Sequence, residues 1–225
     1  MAKYFNFFPR TTYYKNKDST SVDIITNITT RYNFNDALKQ NAATYYKYKI
    51  KDGDTPEILA FKFYGSSEKH WIILAMNNII DPIYEWPLPQ RTIGKFIEAK
   101  YSSPSYANTA NTGVTGLEWA TNNIQAYYKI ETRTNTSTGL YREDKIRLDA
   151  NTYANVVTSD TSYTLSDNTP LRIVVSKETE TYYYHEIELN ENKREITILK
   201  PEFVVSIEEE FRAVMRDSIW TILLI

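Results

Sequence analysis

The 225-residue chain contains no cysteine. That excludes disulfides and thiolate metal sites and fits synthesis in a reducing compartment. Glycine is scarce, at 6 residues. Gly53 and Gly65 stand alone, so no glycine-rich phosphate loop can be built. Charge of one sign is missing too: 26 basic residues against 28 acidic give a net −2. Without a basic stripe the chain is not expected to bind nucleic acid. No apolar run reaches the ~20 residues that cross a bilayer, so no membrane partner is expected. The N-terminus MAKYFNFFPR lacks the aliphatic run and small-residue cleavage site of a signal peptide. A soluble protein, not secreted by the usual route, is the expectation.

Catalytic groups are equally sparse. The two histidines, His70 and His185, have no His or Cys at ligand spacing, so no metal or other cofactor is expected. Asp52 with Asp54, and Asp81 with Glu85, are acid pairs, but each sits in turn-forming sequence that accounts for it. Ser66 and Ser67 have no Gly-x-Ser-x-Gly context. The chain does not read as an enzyme.

What the sequence has in quantity is tyrosine, 19 residues. Tyrosine combines a large apolar ring with a polar tip and suits both interfaces and strands. The ends stand out as well. Phe5, Phe7, Phe8, Tyr13 and Tyr14 crowd the N-terminal arm, and Ile219, Trp220, Ile222, Leu223, Leu224 and Ile225 close the chain. Full burial of one such side chain is worth roughly 1.5–3 kcal/mol, so these ends need a cover. Either they complete the chain's own core or they anchor on a partner.

The expected fold class is α+β, in five parts. Residues 1–43 form the aromatic arm, with loop at 15–21 and loose helical spacing at 22–41. Residues 44–101 form a strand–helix–helix–strand module. Tyr46, Tyr48 and Ile50 alternate with Lys47, Lys49 and Lys51, the period of a half-buried strand. Asp52-Gly53-Asp54 is a turn signal, Thr55 an N-cap, Pro56 a first helical residue and Gly65 a stop. Ser66 or Ser67 caps a second helix that ends at Asn77-Asn78, and Ile79 to Trp86 is read as extended because of its prolines. Residues 91–101 add a short helix. Residues 102–126, rich in Ser, Asn and Thr, are read as a linker. Residues 127–200 are read as mainly β, with strands at 127–132, 145–148, 156–158 and 171–175. A hairpin is expected over 182–199, with its turn at Asn190 to Lys193. Residues 201–225 give an amphipathic helix with the stripe Phe203, Ile207, Phe211, Val214 and Met215, then the apolar tail.

The stretch YKIKDGDTPEILAFKFYGSSEKHWIILAMNNIIDP resembles a lysin-motif (LysM) module, through its Gly53-Asp54-Thr55 turn, Tyr64-Gly65 and Asp81-Pro82. In that family the module binds N-acetylglucosamine polymers. By resemblance the groove would be lined by Gly53, Asp54, Thr55, Ile79, Asp81 and Pro82. A longer resemblance includes His70-Trp71, Asn77, Trp86-Pro87-Leu88, the arm YFNFFP and the closing NENKREITILKPEFVVSIEEEFRAVM. On these residues the chain is similar to the LysM-bearing baseplate wedge subunits of T-even-type contractile-tailed phages.

That resemblance implies a structural virion protein of the tail baseplate, made in the host cytoplasm. Its partners would be other baseplate wedge proteins and neighbouring wedges, with central hub or sheath-initiating proteins as further neighbours. The module would dock proteins rather than read glycan. Phe5, Phe7, Phe8, Trp71, Trp86, Ile219, Trp220, Ile222 and Leu223 are the expected partner-binding residues. The alternative reading is a LysM-type peptidoglycan- or chitin-binding protein. A cell-wall hydrolase is a third.

Overall fold

A computed structural model describes residues 4–14, 22–30, 32–34 and 36–222, without the side chains of residues 36, 37 and 216–222. The structure mixes helices and strands, as α+β requires. A 3-10 turn at Tyr4–Phe7 precedes strands β1 (Arg10–Tyr14) and β2 (Val22–Thr26). Next come α1 (Asp36–Gln40), β3 (Tyr45–Lys49) and α2 (Pro56–Tyr64). A second 3-10 turn, Ser67–Lys69, leads into α3 (His70–Met76), then α4 (Pro82–Glu85) and α5 (Gln90–Tyr101). Two short helices follow, α6 (Thr109–Thr112) and α7 (Gly116–Asn122). The sheet-forming region holds β4 (Ile124–Asn135), β5 (Tyr141–Leu148), α8 (Ala150–Asn155), β6 (Ser159–Thr164) and β7 (Pro170–Thr181). The chain closes with α9 (Tyr182–Asn192), β8 (Glu195–Leu199) and α10 (Pro201–Ile222).

The chain divides into two compact units, Met1–Pro87 with Asn192–Ile225, and Leu88–Glu191. The first is therefore discontinuous in sequence. Its central pairing joins β3 to β8 antiparallel, with Tyr45 opposite Leu199 and Lys49 opposite Glu195. Two apolar clusters lie against this pair. One gathers Ile50, Leu59, Ala60, Ile73, Trp86, Ile196 and Ile198. The other gathers Phe8, Phe34, Trp71, Ile72, Met76 and Leu199 with Val204, Ile207, Phe211 and Met215. Those last four residues form the buried stripe of α10, at helical spacing. Val214, expected in that stripe, is exposed, and Phe203 packs at its margin.

The second unit has a helical cluster and an antiparallel sheet. Ile93, Ile97 and Tyr101 of α5 pack with Ala120 of α7 and with Tyr182, Tyr183 and Ile187 of α9. Gly116 lets α7 approach α5: a Cβ there would lie 2.3 Å from the Glu98 carbonyl oxygen and 2.6 Å from the Ser102 nitrogen. The four-stranded sheet has the order β5-β4-β7-β6.

Several local expectations are corrected. Residues 22–26 are a strand paired with β1, not helix. The stretch 79–86 holds the helical turn α4, and the strand beside β3 is β8. Asp81 and Pro82 explain this, since an N-cap followed by proline at the first helical position starts a helix. Residues 109–112 and 116–122, inside the polar stretch read as linker, are helical. The candidate strand 156–158 follows α8 and precedes β6. The 182–199 hairpin is a helix followed by a strand, because residues 182–192 bury a helical face that includes Glu186 and Asn190. The final helix runs to Ile222, so it takes in the first residues of the stretch read as an apolar tail. The loop at 15–21 lies outside the described residues.

Candidate docking surface

The surface is built by two turns beside α2 and α4. In the first, Gly53 takes φ +92°, a left-handed conformation that suits glycine. The Asp54 carboxylate accepts from the Lys51 backbone N–H at 2.9 Å and from the Tyr48 hydroxyl at 2.7 Å. The Thr55 hydroxyl caps α2 by accepting from the Ile58 N–H at 3.3 Å. Gly65 ends that helix, its N–H donating to Phe61 at 2.9 Å. No side-chain cap is made by Ser66, and a 3-10 turn intervenes before α3.

Asn77 at the end of α3 acts as a short piece of strand. Its carbonyl oxygen accepts from the Thr197 N–H at 2.8 Å, and its amide donates to the Thr197 carbonyl at 2.8 Å and the Ile73 carbonyl at 2.8 Å. The free edge of β8 is thereby closed at its middle residue.

In the second turn Asp81 caps α4, its carboxylate accepting from the Ile83 N–H at 3.0 Å. Glu85 folds back to accept from the Asp81 N–H at 3.0 Å. The Trp86 indole N–H donates to the Asp54 carbonyl at 2.9 Å and ties the two turns together. From the other side Lys193 donates to the Tyr84 carbonyl at 2.7 Å. Buried Arg194 donates to the Ile50 carbonyl at 3.2 Å and the Asp52 carboxylate at 2.7 Å.

The result is a rigid surface whose carboxylates at 54, 81 and 85 already hold backbone N–H groups. What it presents outward is apolar: Ile80, Ile83 and Tyr84 are 61%, 76% and 72% exposed. Ile58 and Phe61 on the outer side of α2 are exposed as well. A hydroxyl-rich ligand needs uncommitted polar groups to replace its water. Rigidly held apolar side chains suit a protein surface.

The structure brings Gly53, Asp54 and Thr55 together with the 79–82 turn through the Trp86 bond. Trp86 is itself buried among Ile50, Leu59 and Ile198. Trp71 is buried beside Tyr4 and Phe211, at ring-centroid distances of 5.2 and 4.7 Å. Phe8 is buried in the same cluster, Phe7 is half-buried under the Arg212 guanidinium, and Phe5 is exposed. Ile219, Trp220 and Ile222 have helical backbone, but their side chains and Leu223 lie outside the description. Ile80, Ile83 and Tyr84 were missed in the sequence, although Asp81-Pro82 carried the helix-start signal that fixes them.

His70 and His185 each have a local partner. The His70 Nδ1 lies 3.0 Å from the Ser67 carbonyl, and the His185 Nδ1 lies 2.8 Å from the Glu180 carboxylate. Among the described residues no group of three His, Asp or Glu side chains is placed to hold a metal ion.

Comparison with known proteins places this geometry in context. The profile of the family described as base plate wedge protein 53 matches residues 3–213. The baseplate wedge protein gp53 of Enterobacteria phage T4 is similar, with 33% identity over 73 residues. That stretch is 32% of this chain and spans 37% of the length of the T4 protein.

Proposed function

The chain belongs to the base plate wedge protein 53 family, and from that premise we propose that it is a structural subunit that joins baseplate wedge proteins by docking. Its location is the baseplate of the phage tail. The observation that carries the reading is the apolar surface of Ile80, Ile83 and Tyr84, held rigid while the neighbouring carboxylates bind backbone. Burying each of these side chains against a partner would contribute roughly 1.5–3 kcal/mol. β3, α2 and α3, with β8 as the second strand, form the LysM-like module in this reading. The module serves as a scaffold for protein contact, because fold and function are separable.

The partners are other wedge proteins and neighbouring wedges, with hub and sheath-initiating proteins as further neighbours. The arm residue Phe5 and the tail residues Ile219, Trp220, Ile222 and Leu223 extend the contact. Trp86 supports it through its bond to the Asp54 carbonyl, while Phe7, Phe8 and Trp71 pack in the cluster around α10. No catalytic step is part of the role.

Purified wedge proteins from the same phage, mixed with this chain and followed by co-sedimentation, test the reading. Wild type is expected to co-sediment, and the double variant Ile83→Lys/Tyr84→Ala to lose at least tenfold in affinity. Equal binding by the variant would overturn the assignment of this surface. Heat on titration with chito-oligosaccharide at millimolar ligand would turn the module back into a glycan reader.

A further inference from the structure

The two strands at the centre of the first unit differ at their outer edges. The outer edge of β8 is closed at Thr197 by the Asn77 side chain. β3 has no such cover, and among the described residues no third strand pairs with it. The Ile50 N–H donates to the Arg194 carbonyl, and the Lys200 N–H donates to the Thr44 carbonyl. Backbone groups alternate sides along an antiparallel strand, so Thr44, Tyr46, Tyr48 and Ile50 address β8. The N–H and C=O of Tyr45 and Lys47 therefore point away from it. Tyr46 and Lys47 are exposed. An unpaired edge of this kind is a template for another strand.

Lysine dominates this edge. Lys47 stands opposite Thr197, which carries no charge. On the other face of the strand, Lys200 lies 5.5 Å from the centre of the Tyr46 ring and Lys62 donates to the Tyr48 hydroxyl at 3.3 Å. Lys49 and Lys51 add further positive charge. Together these lysines outnumber the carboxylates they meet, Glu195 opposite Lys49 and Asp54 beside the Lys51 N–H. Among the described residues neither Lys47 nor Lys200 makes an ion pair. An open groove of about 570 Å³, lined by Lys47, Tyr48, Lys49, Glu195, Ile196 and Thr197, leaves room for arriving side chains.

Lysines on an edge keep strands away, but the exclusion is selective. A second copy of β3 laid antiparallel and centred on this strand would set Lys47 against Lys47, and like charges directly opposite are unfavourable. A strand that carries carboxylates meets opposite charge instead, so the same lysines repel one partner and attract another. Nucleic acid would use the charge but leave the outward backbone groups of Tyr45 and Lys47 without a ladder. A peptide strand uses both.

We infer that the outer edge of β3 receives an acidic extended segment of another protein as an added strand. Main-chain hydrogen bonds supply affinity in this mode of recognition, and alternate side chains supply specificity. The contact uses residues other than Ile80, Ile83 and Tyr84 and does not depend on the docking reading above. β3 is five residues long, so the added ladder is short and the association is weak in isolation. It is also sensitive to salt, because its charges are exposed.

A synthetic peptide of alternating glutamate and threonine is the probe, titrated into the full chain and followed by hydrogen exchange. Binding should slow exchange of the outward Lys47 amide and leave the Tyr46 and Tyr48 amides, already in the β8 ladder, unchanged. Lys47→Glu should weaken binding about fivefold, and Lys47→Glu with Lys200→Glu about tenfold or more, because attractive cross-strand pairs become repulsive. The same peptide with lysine in place of glutamate should not bind, and neither should one with methylated backbone nitrogens, which cannot form the ladder. Circular dichroism controls for folding. If K47E does not fold, Lys200→Glu, outside the strand, has to weaken binding in its place. No added protection of the Lys47 amide at millimolar peptide, unchanged affinity in the folded variants, or equal binding of the methylated peptide each overturns the inference. Tighter binding of oligothymidylate than of the peptide overturns it in favour of a phosphate surface. Ile83→Lys/Tyr84→Ala should bind the peptide as wild type does, so failure of this contact and failure of the docking function are seen separately.

Discussion

Replacing Asn77 with alanine tests whether the first unit depends on a single side chain to hold its distant strand. Asn77 and Thr197 are 120 residues apart in sequence and share three hydrogen bonds. Two match a strand ladder: the Asn77 amide donates to the Thr197 carbonyl and its oxygen accepts from the Thr197 N–H, both at 2.8 Å. The third brings the Thr197 hydroxyl to the same oxygen at 3.1 Å, and a fourth bond ties the amide to the Ile73 carbonyl at 2.8 Å. A net ~1 kcal/mol per bond would give ~4 kcal/mol. Thr197 is only partly buried, so water restores some of this, and the expected loss is ~2–3 kcal/mol. Urea unfolding measures it as a lowered midpoint at unchanged slope. Hydrogen exchange locates it, because the Thr197 amide should lose protection before the amides of β4 and β7 do. Asn77→Asp should be no better. It keeps the acceptor but sets a carboxylate against the Thr197 and Ile73 carbonyls. A change within 0.5 kcal/mol for N77A would refute the argument and leave the β3–β8 pairing to apolar packing alone.

Two further outcomes concern the second unit. Gly116→Ala should destabilise by about 1–3 kcal/mol in thermal or urea unfolding, because its Cβ would meet backbone atoms of α5 that cannot swing aside. Gly94→Ala is the control: a Cβ there meets nothing within 4 Å, and alanine is the better helix former, so stability should rise by ~0.5–1 kcal/mol. Glu98 governs a pH effect. Hydrogen bonds from the Leu117 N–H, the Ser102 hydroxyl and the Gly116 N–H hold its carboxyl below the usual range. A depressed pKa stabilises fully above the unfolded value near ~4.3 and loses that contribution as pH falls through the lower folded value. Glu98→Gln should flatten this part of the stability–pH curve between about pH 5 and pH 3, and an unchanged slope would argue against the carboxylate clamp.

Some local signals in the sequence match local structure. The Tyr/Lys alternation found β3, Thr55-Pro56 found the start of α2, and Gly65 found its end. The failures have physical causes. No local pattern can name β8 as the partner of β3, because the pairing spans the whole inserted unit. α9 hid because its buried residues include Glu186, which accepts from Tyr101 and Lys100, and Asn190, which bonds the Leu88 backbone. Satisfied polar groups interrupt the apolar period on which a helix is recognised. α7 hid because it lies in a Ser/Asn/Thr-rich stretch and meets α5 through Gly116 and Ala120 with a single large ring, Trp119 stacked on Tyr101, too few apolar positions to show a period. At the surface, aromatic residues drew attention first. Yet Trp71 and Trp86 fill this chain's own clusters, while the less conspicuous Ile80, Ile83 and Tyr84 are among the exposed apolar residues.

The docking surface has an electrostatic feature that bears on assembly. Around Ile83 the carboxylates bind backbone. The chain as a whole is close to neutral, at −2. Long-range steering, which raises association rates above the ~10⁵–10⁷ M⁻¹s⁻¹ of ordinary docking, needs concentrated charge, and this surface does not have it. Around Ile83, discrimination between partners would then fall to shape, which acts after encounter and mainly on dissociation. Weak contacts of this kind hold when several are made at once, because each bound site raises the effective concentration of the next. If the chain docks as proposed, a small apolar surface such as that of Ile80, Ile83 and Tyr84 fits construction by several simultaneous weak contacts better than recognition through one strong site.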